Sequence, residues 1–199
     1  MFFSFPEKNN NLTYEEGYII GLYAGDGSSY CPKNENWSNR ITFSLNKSNL
    51  NDVNIIQKGL NQLHIVNKIT QYYDKELLTV NITSQILYDF IKQYIHGDYA
   101  YNKYFDMNCL FENSCFRQGI IDGWYASDGG NSNRIYSVST KLIETGEVLF
   151  TSLGVNTTIE SDKRCGEVRF CENGKEYTNN YPLQCIRWYE KQKKYGKRI

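Results

Sequence analysis

The chain has no charge excess. Its 199 residues hold 22 Lys or Arg and 22 Asp or Glu, a net charge of zero, so bulk electrostatics supplies no attraction for a phosphate polymer. Nor does any apolar stretch reach the ~18 residues of a helical membrane span. The opening "MFFSFPEKNN" lacks the charged n-region and long apolar run of a secretion signal. A reducing interior is therefore the expected compartment for the six cysteines: cytoplasm, organelle or host cell, not secreted. Histidine is scarce. His64 and His96 have no partner at ligand spacing and read as structural. The Cys-x5-Cys pairs, Cys109/Cys115 and Cys165/Cys171, match no common zinc spacing and read as ordinary buried thiols.

Against these absences stands one repeated pattern. "EEGYIIGLYAGDGSS" (Glu15 to Ser29) and "FRQGIIDGWYASDGG" (Phe116 to Gly130) are both short helical runs ending in Asp-Gly. Gly17, Gly21 and Gly25 fall four apart in the first, and Gly119, Gly123 and Ser127 do so in the second. Residues i and i+4 share a helix face. Each interior glycine costs a helix about 1 kcal/mol against alanine. Aligned in two helices, they point to a compensating close approach of two backbones. Asp26 and Asp128 directly follow the last small residue of each run. If the helices pack side by side and parallel, both carboxylates emerge at one end, where they repel unless a cation lies between them. Oxygen ligands with open positions suit Mg²⁺, the equipment of metal-assisted phosphodiester hydrolysis.

"IIGLYAGDG" (Ile19 to Gly27) and "IDGWYASDG" (Ile121 to Gly129) resemble the two motifs of a LAGLIDADG homing endonuclease in its single-chain form. "RITFSLNKSNLNDVNIIQKGLNQLHI" and "RIYSVSTKLIETGEVLFTSLGVNTTI" resemble the strand-helix segment after each motif. The resemblance implies an α+β fold: a pseudo-twofold pair of αββαββα repeats, a central two-helix interface and saddle-shaped antiparallel sheets facing DNA. The repeats are expected at residues 1–100 and 114–199, with 101–113 as linker. The implied activity is site-specific double-strand DNA cleavage by a monomer with a divalent metal, Mg²⁺, as cofactor. In the family the motif carboxylate binds the metal, often with the carbonyl just before it. The metal set is thus Asp26, Asp128 and the carbonyls of Gly25 and Ser127. Family members often place a Lys upstream of the second motif, and Lys103 resembles it. Lys191, Lys193, Lys194 and Lys197 compete for the matching role in the second half. The alternative is an RNA maturase acting on intron RNA, or a nucleic-acid-binding protein of this fold that does not cut. A protein–protein scaffold is the third reading.

Along the chain, Thr13-Tyr14-Glu15-Glu16 predicts a capping box that opens the first motif helix. Ser48 and Ser84 are expected to cap the next two helices, the second facing inward through Ile86, Phe90, Ile91 and Tyr94. Hairpin side chains are the expected readers of DNA: Asn39, Arg40, Ser44 and Asn46 in the first half, Asn133 and Arg134 in the second. Arg and Asn suit guanine and adenine edges. Lys47 and Lys141 are expected to hold matching places after their strands. Asp122 breaks the second motif, as a partner to a nearby cation or a drifted interface position. The second half lacks a clear closing helix. A start at Met1 and an end at Ile199, without splicing residues, argue against a complete intein.

Overall fold

A computed structural model describes residues 7–8, 11–32, 39–66, 69–74, 76–130, 132–162, 168–170, 174, 176–178 and 181–189. The first half runs α1 (Tyr14–Asp26), β1 (Gly27–Tyr30), β2 (Arg40–Asn46), α2 (Leu50–Gln62), β3 (Thr70–Asp74), β4 (Leu77–Thr83) and α3 (Gln85–Tyr94). A short ladder, β5 (Ile95–His96) with β6 (Tyr104–Phe105), and a 3-10 turn at Met107–Phe111 lead into the second half. There follow α4 (Ser114–Asp128), β7 (Gly129–Gly130), β8 (Arg134–Ser137), α5 (Thr140–Ser152), β9 (Thr157–Asp162), β10 (Val168–Phe170), β11 (Glu176–Thr178) and β12 (Leu183–Trp188).

The two halves repeat one topology. The first sheet has the order β1-β2-β4-β3 and the second β7-β8-β12-β9, all neighbours antiparallel. The β10–β11 hairpin is an insertion between β9 and β12 that forms its own two-stranded ladder. Residues 190–199, where a closing helix would fall, lie outside the described residues, as do Lys191, Lys193, Lys194 and Lys197. Among the described residues no helix is long and apolar enough to cross a membrane.

Local chemistry sets the elements. Thr13 N donates to Glu16 Oε2 at 2.6 Å and Glu16 N to Thr13 Oγ1 at 3.3 Å, a complete capping box. Alternation in β2 sends Ile41, Phe43 and Leu45 into the core and leaves Arg40, Ser44 and Asn46 outside. Ser84 caps α3 by accepting from Leu87 N. Two expectations need correction. Asn49, not Ser48, precedes α2, and the Ser48 hydroxyl donates instead to Asn46 Oδ1 at 2.8 Å. In α3 Leu87 takes the inward place, while Ile86 is 58% exposed, because Leu87, Phe90, Ile91 and Tyr94 share one helix face at i, i+3, i+4 and i+7 and Ile86 lies off it.

The core is continuous across both halves, and its spine is the α1–α4 pair. A Cβ built on Gly21 would lie 1.9 Å from Ile120 O, and one on Gly17 2.1 Å from Phe116 O. Reciprocally, Gly119 faces Tyr14 O and Gly123 faces Tyr18 O, each at 2.1 Å. The two backbones are in contact, which only a stripe without side chains permits. Asp122 accepts hydrogen bonds from Tyr14 Oη across this interface at 2.9 Å and from Gln118 Nε2 at 2.8 Å, so its partners are neutral donors rather than a cation. The segment between the halves is no loose tether: Lys103, Phe105, Cys109 and Leu110 are buried.

Candidate active site

Both motif helices end at an Asp and hand over directly to the first strand of a sheet, through Gly27 and Gly129 in extended conformation. The carboxylates therefore sit where the helix pair meets the two sheets. At Gly25 a Cβ would lie 2.2 Å from Ser127 Oγ and 2.9 Å from Asp128 Cγ. The end of α1 thus lies against the Asp128 carboxyl itself. The carbonyls of Gly25 and Ser127 fall in the last turns, where a helix leaves its C=O groups without intrahelical partners.

Burial pushes both carboxyls up to about 6, and Asp26 pushes Asp128 further in that direction. Asp52, buried and accepting from Tyr18 Oη at 2.7 Å, adds a smaller push on Asp26. Lys103 opposes both shifts. The indole N–H of Trp124, one turn before Asp128, also pulls that carboxyl down, yet at a reach that leaves the buried N–H without a close hydrogen-bond partner. Neither Trp124 nor Asp52 was marked by sequence reasoning. Trp124 stood four residues before Asp128, a helix-face signal that was there to read; Asp52 is brought in from α2 by packing alone.

Lys103, expected as a cation beside the scissile phosphate, is only 3% exposed. Its ammonium donates to Tyr23 O at 2.7 Å, Ala24 O at 3.2 Å and Gly27 O at 2.7 Å, and it lies 4.8 Å from the Tyr23 ring centroid. An ammonium has three protons, and all three are engaged. Lys103 thereby gathers the carbonyls at the end of α1, next to Asp26. Burial lowers its pKa to about 8, while Asp128 and Asp26 hold it up. Lys103→Met leaves those carbonyls unpaired and is expected to destabilise the fold by about 2–4 kcal/mol, read from urea unfolding at neutral pH. A midpoint equal to wild type would show that water replaces the ammonium.

The residues fit a divalent cation. Two desolvated carboxylates adjoin one another, and the nearest ammonium donates to carbonyls instead of to them. Among the described residues no group of three or more His, Cys, Asp or Glu comes together, so carbonyls and water would complete an oxygen shell.

The expected DNA readers divide. Arg40, Ser44, Asn46 and Lys47 are exposed on or just after β2. Arg40 lies over the Tyr30 ring at 5.6 Å. Asn39 is buried, its amide donating to Gln85 Oε1 at 3.0 Å, so it has no free edge to offer. Asn133 takes positive φ (53°) in the tight β7–β8 turn and its carbonyl accepts from Trp188 N. Arg134 sits 3.4 Å from Glu160 Oε2, which also holds Arg187 at 3.4 Å through Oε1. Glu160 went unmarked because strand pairing, not sequence proximity, sets it beside both arginines. Lys47 and Lys141 are not equivalent: Lys47 directly follows β2, whereas Lys141 is the second residue of α5.

This arrangement of paired motif helices and twin antiparallel sheets is the fold of the single-chain LAGLIDADG homing endonucleases. Among solved structures the chain is similar to I-DmoI bound to DNA and calcium, with TM-score 0.64 and 19% identity over 90% of this chain and 85% of that one. A variant of I-DmoI on its nicked target DNA with manganese gives TM-score 0.64 and 18% identity, covering 90% of each chain. Mesophilic variants of the homing endonuclease I-DmoI give 0.64 and 19%, again over 90% of each. No protein-family model and no curated protein sequence matches the chain.

Proposed function

We propose that the protein is a site-specific double-strand DNA endonuclease dependent on a divalent metal, Mg²⁺ in the cell, acting as a monomer inside the cell rather than outside it. One observation carries this reading: backbone contact between α1 and α4 sets Asp26 and Asp128 together, desolvated, at the junction of two sheets. I-DmoI, similar in fold, is a homing endonuclease seen on DNA with calcium and, as a variant, on its nicked target DNA with manganese.

Asp26 and Asp128, with the carbonyls of Gly25 and Ser127, would hold the cation. When bound, the cation supplies a nucleophilic water at neutral pH and a charge that stabilises the developing oxyanions. The chain's own residues do the rest. The glycine contacts fix the separation of the two carboxylates. Lys103 clamps the end of α1 so that the Asp26 carboxylate keeps its direction. Arg40, Ser44, Asn46 and Lys47 on one sheet, and Arg134 on the other, meet the two half-sites through phosphates and base edges. The sheets differ in the length of their first hairpin, so the half-sites need not be alike.

A randomised plasmid library incubated with the protein in Mg²⁺ should yield linear molecules whose ends share one long asymmetric sequence, and EDTA should abolish them. Cutting at unrelated sequences would refute site specificity. The runner-up is a nucleic-acid-binding protein of the same fold that does not cut, on DNA or on intron RNA. The zero net charge and the neutralising Glu160 favour it. A salt-dependent gel shift with no cleavage in Mg²⁺ would select it.

A further inference from the structure

Away from the carboxylates, the protein displays three stacked tyrosines. Tyr101 lies between Tyr99 (ring centroids 5.5 Å apart, planes within 2°) and Tyr181 (4.9 Å, 11°). All three are exposed, at 61% for Tyr99, 44% for Tyr101 and 45% for Tyr181. Core aromatics in this chain pair edge-on or tilted, as Phe105 does with Trp124 and Tyr94 with Phe116. A parallel ladder held in water is a different arrangement, and each terminal ring keeps one face without an aromatic partner among the described residues. Tyr101, Tyr104 and Tyr181 also line a cavity of about 500 Å³, together with Thr140 and Lys141 at the start of α5. Lys141 Nζ stands 4.1 Å from the Tyr104 ring centroid. The nearby carboxylate of Asp98 is occupied by Lys92 at 2.8 Å.

We infer that this tyrosine ladder and cavity form a binding site for an unpaired nucleotide of a single-stranded nucleic acid, the base stacking on the ladder and its phosphate meeting Lys141. Flat, parallel, solvent-facing rings beside a cation are the chemistry that takes any base by its face while a charge tracks the backbone. The cavity falls within the ~300–1,000 Å³ usual for small-ligand sites. The inference rests on the proposed function only for nucleic acid as the class of partner. It also ties the site to the carboxylates: Ser139, on the cavity wall, donates to Lys103 O at 2.6 Å, and Lys103 clamps α1. A strand displaced or frayed near the cut has a place to be held one residue from that clamp.

The test uses the whole protein in EDTA, so cleavage plays no part and a failed nuclease assay leaves it intact. Fluorescein-labelled hexathymidylate and hexauridylate are titrated with wild-type protein at low salt and followed by anisotropy. Tyr101→Leu and Tyr181→Leu should weaken binding about five- to a hundredfold, at 1–3 kcal/mol per stacked base, while Tyr101→Phe and Tyr181→Phe retain it. Equal affinity for the two oligonucleotides supports the site as a general single-strand holder, and tighter hexauridylate supports it as an RNA site reading the 2′-hydroxyl. Thermal midpoints check folding. Should the Leu variants unfold, upfield shifts of the Tyr ring protons in wild type on adding hexathymidylate report the stack directly. Absence of binding by either oligonucleotide, unshifted rings, or full binding by folded Leu variants overturns the proposal.

Discussion

Gly21→Ala should cost the protein at least about 3 kcal/mol and lower its thermal midpoint by roughly 10 °C, the largest effect expected of any single methyl group among the described residues. The added Cβ would lie 1.9 Å from Ile120 O, 2.6 Å from Trp124 N and 2.8 Å from Ile120 C. All three are backbone atoms of α4, so no side chain can swing aside. The helices must separate, and every contact along the stripe from Gly17 to Gly25 loosens with them. Gly123→Ala should behave alike, for it faces Tyr18 O at 2.1 Å. Ser127→Ala is the control. Its hydroxyl donates to Trp124 O within its own helix at 2.9 Å, and removing it introduces no clash, so stability should stay within about 1 kcal/mol. Differential scanning calorimetry decides. A Gly21→Ala midpoint within 2–3 °C of wild type, the shift of roughly 1 kcal/mol, would mean that the two helices do not touch as described.

Asp128→Asn and Asp26→Asn should each reduce DNA cleavage by about three orders of magnitude or more, yet make the metal-free protein more stable at neutral pH. Both carboxyls titrate near 6 in the folded chain against 3.8 in the unfolded one. The folded state therefore holds these protons more tightly. Between about pH 4 and pH 7 the unfolded chain loses them first, so stability falls as pH rises through that window. Above it the folded protein carries an ionised, poorly solvated, repelling pair. Asp128 is the better buried of the two. Its replacement by Asn should recover about 1–2 kcal/mol at pH 7.5 in EDTA and nothing below pH 4, a figure discounted because the pair shares one repulsion. Millimolar Mg²⁺ should stabilise wild type at pH 7.5 and leave Asp128→Asn unmoved. Urea midpoints across pH 4–8, with and without Mg²⁺, measure all of this. Parallel pH curves for wild type and variant would place the two carboxyls in open water and apart.

The particular residues divide between what could be read in one dimension and what could not. The Thr13 box, the four-residue spacing of the two small-residue stripes and the Asp-Gly helix ends are local features of the chain, and each appears as expected. Ser48 failed as a cap because Asn46, two residues earlier, takes its hydroxyl. Lys103 was marked for its charge and position before the second motif. Its ammonium meets the far end of α1, some eighty residues away, and packing alone sets that contact. Asn39 was marked by residue type alone, and Gln85 buried it.

The amino-acid order alone determined that there are two equivalent helices, which faces of them are bare, and that each ends in an acid, because helix periodicity and capping act over one or two turns. Only the tertiary structure decided that the acids meet, that Lys103 serves α1, that Glu160 quiets Arg134 and Arg187, and that Tyr181 completes a ladder begun at Tyr99. Those relations join residues tens to more than a hundred positions apart. Burial and strand pairing create them, and neither leaves a local mark in the chain.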